Sequence, residues 1–290
     1  MSLTVPESFA AGFDPADAAG AEWLANLPAL TGSFLARWDL TVDGPLMHGV
    51  CALVVPVRRR SGEPAVLKVS WPHDEARHEA LALALWDGDG AVRLFDHDDD
   101  AWTLLLERLD PGTTLRHVPI DEALTVVTGM IKRLDRPAPP GMRHVRDNAA
   151  RWVRELPEEN DGIVPGELVD QAVAYCRELG PAAGNHLVNE DLHYDNVLRG
   201  EREPWLVIDP KPIAGDLEFG LIPLLWNRFD DVQAVGGLAA ITEAAGLDWS
   251  LARRWTFVRA IDNWLYSAAD RSGGAHWLGA ACARIAAALA

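Results

Sequence analysis

The segment HLVNEDLHYDNVLRGEREPWLVIDPKP, residues 186–212, sets short apolar runs beside an unusual density of acids. HLV and WLVI read as two strands with a tight connection. Glu190, Asp191, Asp195 and Asp209 stand among them, where buried segments ordinarily exclude carboxylates. Asp191 follows an apolar entry, Asn196 comes five residues later, and Asp209 ends the second run, with Pro210 stopping the strand. Pairing of the two strands would bring a loop carboxylate, a carboxamide and a strand-end carboxylate to one point. Two oxygen ligands of this kind suit Mg²⁺, which keeps several waters and takes its remaining ligands from phosphates. A third carboxylate left outside the metal shell can then orient a substrate hydroxyl. Phosphoryl transfer needs this division of labour, because its catalysis is mostly positioning and charge neutralisation.

Outward from this segment the pattern changes near residue 110. Before it, RWDLTVDG, GVCALVVPVRR, PAVLKVSWP and AWTLLLERL are β-branched or Leu-rich runs broken by Gly, Pro and Asp clusters, as in an antiparallel sheet. One helix interrupts them, DEARHEALALALW, with Asp74 expected as its cap. After it the helical period dominates. Leu124, Val127, Ile131 and Leu134 form one apolar stripe, Trp152, Val153 and Leu156 a second, and Leu168, Ala172, Tyr175 and Leu179 a third. LEFGLIPLLWNRF and WSLARRWTFVRAIDNWLYSAAD read as late helices, and RPAPPG as a loop. The expectation is an α+β chain of two lobes. Residues 1–109 form a small antiparallel-sheet lobe and 110–290 a larger, mainly helical one, with the opening segment inserted in the latter.

Of the 290 residues 49% are hydrophobic and 24% charged, an ordinary globular composition, and the net charge is −17. That charge disfavours nucleic acid and anionic membrane surfaces, both polyanions, and suits a cationic small molecule or simple solubility. Cys51, Cys176 and Cys282 fit no metal spacing and read as buried thiols of a reducing compartment. The N-terminus lacks a basic region followed by an apolar run, and no stretch approaches a membrane span, so a cytoplasmic protein is expected. Neither an internal repeat nor a low-complexity tract interrupts the chain.

The combination LLLERLDPGTTL, VNEDLHYDNVL and IDPKPIAGDLEFGLIPLLWNR resembles the aminoglycoside phosphotransferase family, in its streptomycin 6-kinase and hydroxyurea phosphotransferase branch. The resemblance runs from about AVLKVSWP to LLWNR. It implies a two-lobed protein-kinase-like fold and transfer of the γ-phosphate of ATP, with Mg²⁺, to a hydroxyl of a small polar acceptor. Streptomycin or a related cationic aminoglycoside leads, with hydroxyurea or another small hydroxyl metabolite as the alternative. Carried over by position, Asp191 is the base or hydroxyl-orienting residue, and Asn196 and Asp209 hold the metal. Lys68 binds the nucleotide phosphates with Glu79 as its partner, or Glu75 as second choice. Backbone groups of Glu107, Arg108 and Leu109 meet adenine. The acceptor cleft would lie between the catalytic loop and the late helices, with Asp230, Asp231, Asp262 and Trp226 best placed to line it and Trp255 and Trp264 as further walls. A monomer or weak homodimer is expected.

Asn189-Glu190 replaces the family's His-Gly, and Gly220 stands where many relatives carry Asp, a contact expected to be lost or moved to Glu218. These departures are the support for a competing reading as a nucleotide-binding pseudo-kinase. His186, Asp191, His193 and Asp195 as a hydrolase metal site is a third reading. No G-x-G-x-x-G is present, and Gly44 and Gly49 in VDGPLMHGV are the candidate phosphate-covering turn. Several residues carry two readings. His193 orders the loop or touches phosphate; Lys211 contacts phosphate or pairs with a nearby acid. Asp216 reads as a helix cap. Glu190 and Asp195 are solvated loop acids or meet a cationic acceptor.

Overall fold

Alternation in PAVLKVS decides the first layer. Ala65, Leu67 and Val69 enter one apolar core with Phe9, Leu27, Phe34, Leu53, Val55, Val57 and Leu105, so Val66, Lys68 and Ser70 face the other side of the sheet. The computed structural model describes residues 3–14, 16–270 and 276–290. The chain divides into two units, one ending at Asp110 and the other starting at Pro111.

In the first unit helix α1 (Ala18–Arg37) is followed by strands β1 (Ala52–Arg58) and β2 (Pro64–Ser70). Helix α2 (Glu79–Trp86) and strands β3 (Leu94–Asp98) and β4 (Thr103–Glu107) complete it. The strands run antiparallel in the order β1-β2-β4-β3, with Thr41–Val42 and Met47–His48 both pairing with β1. Helix α1 is absent from the sequence reading. Its buried face runs Leu27, Thr31, Phe34, so a threonine interrupts the apolar period, and Pro28 reads as a breaker. Thr31 is accommodated by donating its hydroxyl to the Leu27 carbonyl at 2.7 Å. Asp74 does not cap α2: Asp74–Ala76 is a separate 3₁₀ turn and the helix begins at Glu79.

The second unit opens on strand β5 (Asp110–Thr114) and helices α3 (Ile120–Leu134), α4 (Val145–Glu159) and α5 (Gly166–Leu179). Strands β6 (His186–Asn189), β7 (Val197–Arg199), β8 (Trp205–Val207) and β9 (Pro212–Gly215) follow, then helices α6 (Ala234–Ala245), α7 (Trp249–Ala269) and α8 (His276–Leu289). Helix α4 packs on α5, α5 on α7, and α7 on α8. The buried face of α5 is Val169, Ala172, Val173, Cys176 and Leu179, rotated from the expected stripe so that Leu168 and Tyr175 lie at its edge. LEFGLIPLLWNRF forms a 3₁₀ turn, Leu217–Leu221, and one helical turn, Pro223–Trp226, rather than a helix. Small residues hide α6 and α8 from a periodicity reading, since Ala and Gly fill half or more of each. Among the described residues no helix is long and apolar enough to cross a membrane.

Candidate active site

Two short antiparallel pairings build the acid cluster of the second unit. Strand β6 pairs with β9, Asn189 opposite Pro212, and the Glu190 N–H donates to the Lys211 carbonyl at 2.9 Å. The Asn189 carboxamide oxygen accepts from the Asp191 and Lys211 backbone N–H groups, each at 3.1 Å, and so staples the two strand ends together. In the second pairing Val197 lies opposite Val207, and the Ile208 N–H donates to the Asn196 carbonyl at 2.9 Å. That register carries Asn196 alongside the Ile208–Asp209 strand end. Asp209 takes φ +48°, a left-handed conformation that Asp tolerates better than most side chains and that turns the chain at the strand end. The Asn196 amide donates to the Asp191 carbonyl at 3.2 Å, tying the ends of the loop.

Asp191 itself has two cationic or potentially cationic neighbours. Lys211 Nζ lies 3.3 Å from one carboxylate oxygen and His193 Nε2 lies 3.8 Å from the other. Burial lowers the His193 pKa, opposed by Asp191, Asp195 and Asp209 around the ring, so the imidazole is held neutral at pH 7. The loop is pinned from below by Tyr194, which is fully buried and donates its hydroxyl to the Leu224 carbonyl at 3.2 Å.

A cleft of about 880 Å³ adjoins this loop. It is walled by Trp226 and Trp277, edge to face at 5.6 Å, and by Asp195, Asp230 and Asp231 with Arg116, Arg228 and Arg284. Trp226 also packs at 5.6 Å against the His193 ring, so the cleft wall is two side chains from Asp191. Most of its charges are internally matched. Arg228 binds Asp231 at 2.6 Å, Arg116 reaches Asp195 at 3.3 Å, and Asn227 donates to Asp195 at 2.9 Å.

In the first unit Lys68 projects from β2 on the face opposite the apolar core, and its ammonium lies 2.7 Å from both carboxylate oxygens of Glu79. Both side chains are buried. Glu79 is the first residue of α2, so strand and helix are tied by this ion pair. Strand β4 ends at Glu107, whose N–H donates to the Arg93 carbonyl at 2.9 Å while its carboxylate accepts from the Arg93 N–H at 3.0 Å. Arg108 binds Asp43 at 2.9 Å and, with Arg58, holds the Asp43 carboxyl below its usual range.

A family model for aminoglycoside/hydroxyurea antibiotic resistance kinases matches residues 37–270. The chain belongs to this family. It is 40% identical over 284 residues to a streptomycin 6-kinase of Streptomyces glaucescens, covering 93% of this chain and 92% of that one. It is 43% identical over 260 residues to a hydroxyurea phosphotransferase of Kitasatospora aureofaciens, covering 87% and 76%. Among solved structures it shares its fold with aminoglycoside phosphotransferase APH(4)-Ia, at TM-score 0.59 and 17% identity over 90% of this chain and 99% of that one. It also resembles a spectinomycin phosphotransferase solved with ADP and spectinomycin, at TM-score 0.54 and 14% identity over 89% and 96%. The resistance kinase is thus an α+β, protein-kinase-like O-phosphotransferase.

Within this kinase the structure gathers Asp191, Asn196 and Asp209 around one loop, and Asp195, Trp226, Asp230 and Asp231 around the adjoining cleft. It does not bring Asp262 or Glu190 to that cleft. Asp262 sits on α7 near Arg259, Arg151 and Trp152, where burial pushes its carboxyl up to about 6. Glu190 is not a solvated loop acid: it is buried against Arg143 and Arg259. Trp255 is core, donating its indole N–H to Asp216 at 2.8 Å. Asp216 occupies the N-cap position of the Leu217–Leu221 turn, but its side chain makes no capping bond: its other oxygen accepts from the Gly184 N–H at 2.8 Å. Glu218 accepts from the Asp248 N–H at 2.8 Å, bracing the start of α7. Gly49 donates to the Ala52 carbonyl at 2.9 Å and closes the turn before β1. His186 binds Asp135 at 2.7 Å, and among the described residues no His, Cys, Asp or Glu cluster suited to a metal ion is found, which removes the hydrolase reading its geometric basis. Tyr194, Arg116 and Trp277 were not singled out from sequence. Only the dense acids around Tyr194 marked that segment, and nothing local marks a Trp 51 residues beyond Trp226.

Proposed function

We propose that this kinase transfers the γ-phosphate of ATP to a hydroxyl of streptomycin or a closely similar guanidino-aminoglycoside. The convergence of Asp191, Asn196 and Asp209 on one loop supports the chemistry, and the 40% identity to a streptomycin 6-kinase supports the acceptor. A cleft of about 880 Å³ agrees with an acceptor of drug size, since ligand pockets span roughly 300–1,000 Å³. Asp230 and the two tryptophan faces suit a guanidinium group, which pairs with acids and stacks on indoles.

Asp191 is the residue that takes the acceptor hydroxyl. Its carboxylate accepts the hydroxyl hydrogen bond and aims the oxygen at phosphorus; as the new O–P bond forms, the bond from phosphorus to the β,γ-bridging oxygen breaks, ADP leaves with that electron pair, and the hydroxyl proton passes to the carboxylate. Lys211, 3.3 Å away, pairs with that carboxylate in its partly buried place. His193, its ring 3.8 Å from the Asp191 carboxylate, fills the space beside it. Asn196 and Asp209 offer one carboxamide and one carboxylate oxygen, a donor set that fits Mg²⁺. When bound, such an ion neutralises phosphate oxygens. Lys68, locked by Glu79, holds the nucleotide phosphates, and the backbone at Glu107–Leu109 meets the base.

The test is an ADP-release assay over streptomycin, other aminoglycosides and hydroxyurea. Turnover with streptomycin well above all others supports the proposal, and turnover with hydroxyurea alone rejects it. The second reading, a hydroxyurea kinase, draws on the 43% identity to a hydroxyurea phosphotransferase. The size of the cleft weighs against it.

A further inference from the structure

The two departures from the family pattern, Glu190 for Gly and Gly220 for Asp, meet in space. A Cβ on Gly220 would lie 2.8 Å from the Asn189 carbonyl oxygen and 3.0 Å from a Val188 methyl, so the side chain's absence lets the Leu217–Leu221 turn press against the backbone of residues 188–190. That backbone is then gripped from α7. Arg259 donates through one Nη to the carbonyls of Glu190 at 3.0 Å and Phe219 at 3.1 Å, bridging the two segments. Its second Nη lies 4.0 Å from the Glu190 carboxylate. The other Glu190 oxygen is bound by Arg143. Arg143 is itself fixed, because its carbonyl accepts from the Ala214 N–H of β9 at 2.8 Å. Arg143 Nε finds no hydrogen-bond partner, so Glu190 is the charged group that compensates this guanidinium.

A buried carboxylate between two arginines is expensive to desolvate, and nothing in packing alone demands one beside a catalytic loop. An apolar side chain would fill the space; a charged one fixes direction as well. We propose that Glu190 is a positioning residue for Asp191: its carboxylate, clamped by Arg143 and Arg259, locks the backbone that carries the reacting carboxylate to helix α7. The proposal rests on the reading of Asp191 as the hydroxyl-orienting group. Glu190 and Asp191 are adjacent, so a small rotation of the Glu190 peptide swings the Asp191 carboxylate away from in-line geometry. Displacements of about 1 Å at a reacting group cost on the order of 10²-fold in rate.

The experiment compares the wild-type kinase with Glu190→Gln and with Glu190→Gln/Arg143→Gln, which removes the Glu190–Arg143 ion pair and leaves Arg259 with its two carbonyl contacts. Steady-state kinetics with ATP and streptomycin are measured together with amide hydrogen exchange over residues 187–196. The expected result is a kcat lower by about 10- to 100-fold in both variants, with KM for ATP and acceptor within about threefold, and faster exchange at 190–192. The double variant regains the wild-type melting temperature and not the kcat. A double variant with kcat within twofold of wild type overturns the proposal. So does a raised acceptor KM at unchanged kcat, which would make Glu190 a substrate contact. Unchanged exchange at 190–192 overturns it as well. If the wild type phosphorylates none of the aminoglycosides, the acceptor assignment fails, and the exchange measurement alone still decides whether Glu190 holds the loop.

Discussion

Removing one partner of the Lys68–Glu79 pair separates its structural from its functional role. Lys68 and Glu79 side chains are 8% and 3% exposed, and the ammonium sits 2.7 Å from both carboxylate oxygens. Glu79→Gln removes the carboxylate that holds the ammonium on both oxygens in a buried place. Breaking a buried ion pair in this way costs about 3–5 kcal/mol, whereas replacing both partners with apolar residues of similar volume is roughly neutral or stabilising. The first unit, of about 110 residues, should therefore melt on the order of 10–20 °C lower in Glu79→Gln. Lys68→Met/Glu79→Leu should melt within a few degrees of wild type. Activity must follow a different order. Both variants lose the aimed ammonium, so kcat/KM falls by about 10²–10³ in each, the usual cost of deleting one preorganised charge donor. Thermal melts and coupled ADP-release kinetics on the three proteins read this out. Recovery of both melting temperature and turnover in the double variant refutes the reasoning, because the pair would then serve packing alone.

Asp191→Asn should retain the melting temperature and nucleotide affinity and lose several orders of magnitude of turnover in steady-state assays. Near-normal turnover removes Asp191 from the chemistry. Trp277→Ala and Asp230→Asn open or neutralise the cleft away from the reacting loop, so KM for streptomycin should rise about 5- to 20-fold with KM for ATP unchanged, a loss of roughly 1–2 kcal/mol of cation–π or ionic contact. Asp262 has a folded-state pKa of about 6 against 3.8 unfolded, so the folded state holds the extra proton, and stability from this group is lost as pH rises from about 4 through 6. Asp262→Asn should accordingly stabilise the kinase at pH 7.5 by up to about 3 kcal/mol and leave it nearly unchanged near pH 3, as melts across that range would show.

The parts of the fold legible in sequence are those where a periodic pattern and a single physical demand coincide. The strands ALVVPVR and PAVLKVS and the helix of residues 249–269 are of this kind. Helix α1 was hidden by Pro28 and Thr31, and α6 and α8 by alanines and glycines, whose burial comes from close approach and leaves no large apolar stripe. The acid cluster was legible because Asp191, Asn196 and Asp209 all belong to one short segment, and hairpin register alone brings them together. The cleft was only half legible. Trp226, Asp230 and Asp231 lie close to one another in sequence, while Arg116 and Trp277 reach the same cavity from distant elements. Asp262 was placed there by chemistry alone, and its position on α7 turns it toward Arg151 and Trp152 instead.

Glu190 shows why an acid's role cannot be read from its neighbours in sequence. A carboxylate beside a catalytic aspartate invites assignment to substrate, since both would sit on one loop. Direction is set by what lies behind the loop, and there the chain supplies Arg143 from the start of α4 and Arg259 from the middle of α7, 47 and 69 residues away. Gly220 completes the arrangement by having no side chain at all, which leaves no sign in a search for functional groups. The substitutions that look like losses against the family pattern are thus coupled. Removing a side chain at 220 brings the turn onto the loop, and adding a charge at 190 secures the loop to the helices. Two part-buried arginines around this carboxylate hold the loop in one place, which nucleotide binding alone does not require. Their presence favours a working catalytic loop over the pseudo-kinase reading, and turnover by the wild-type protein with any acceptor decides between them.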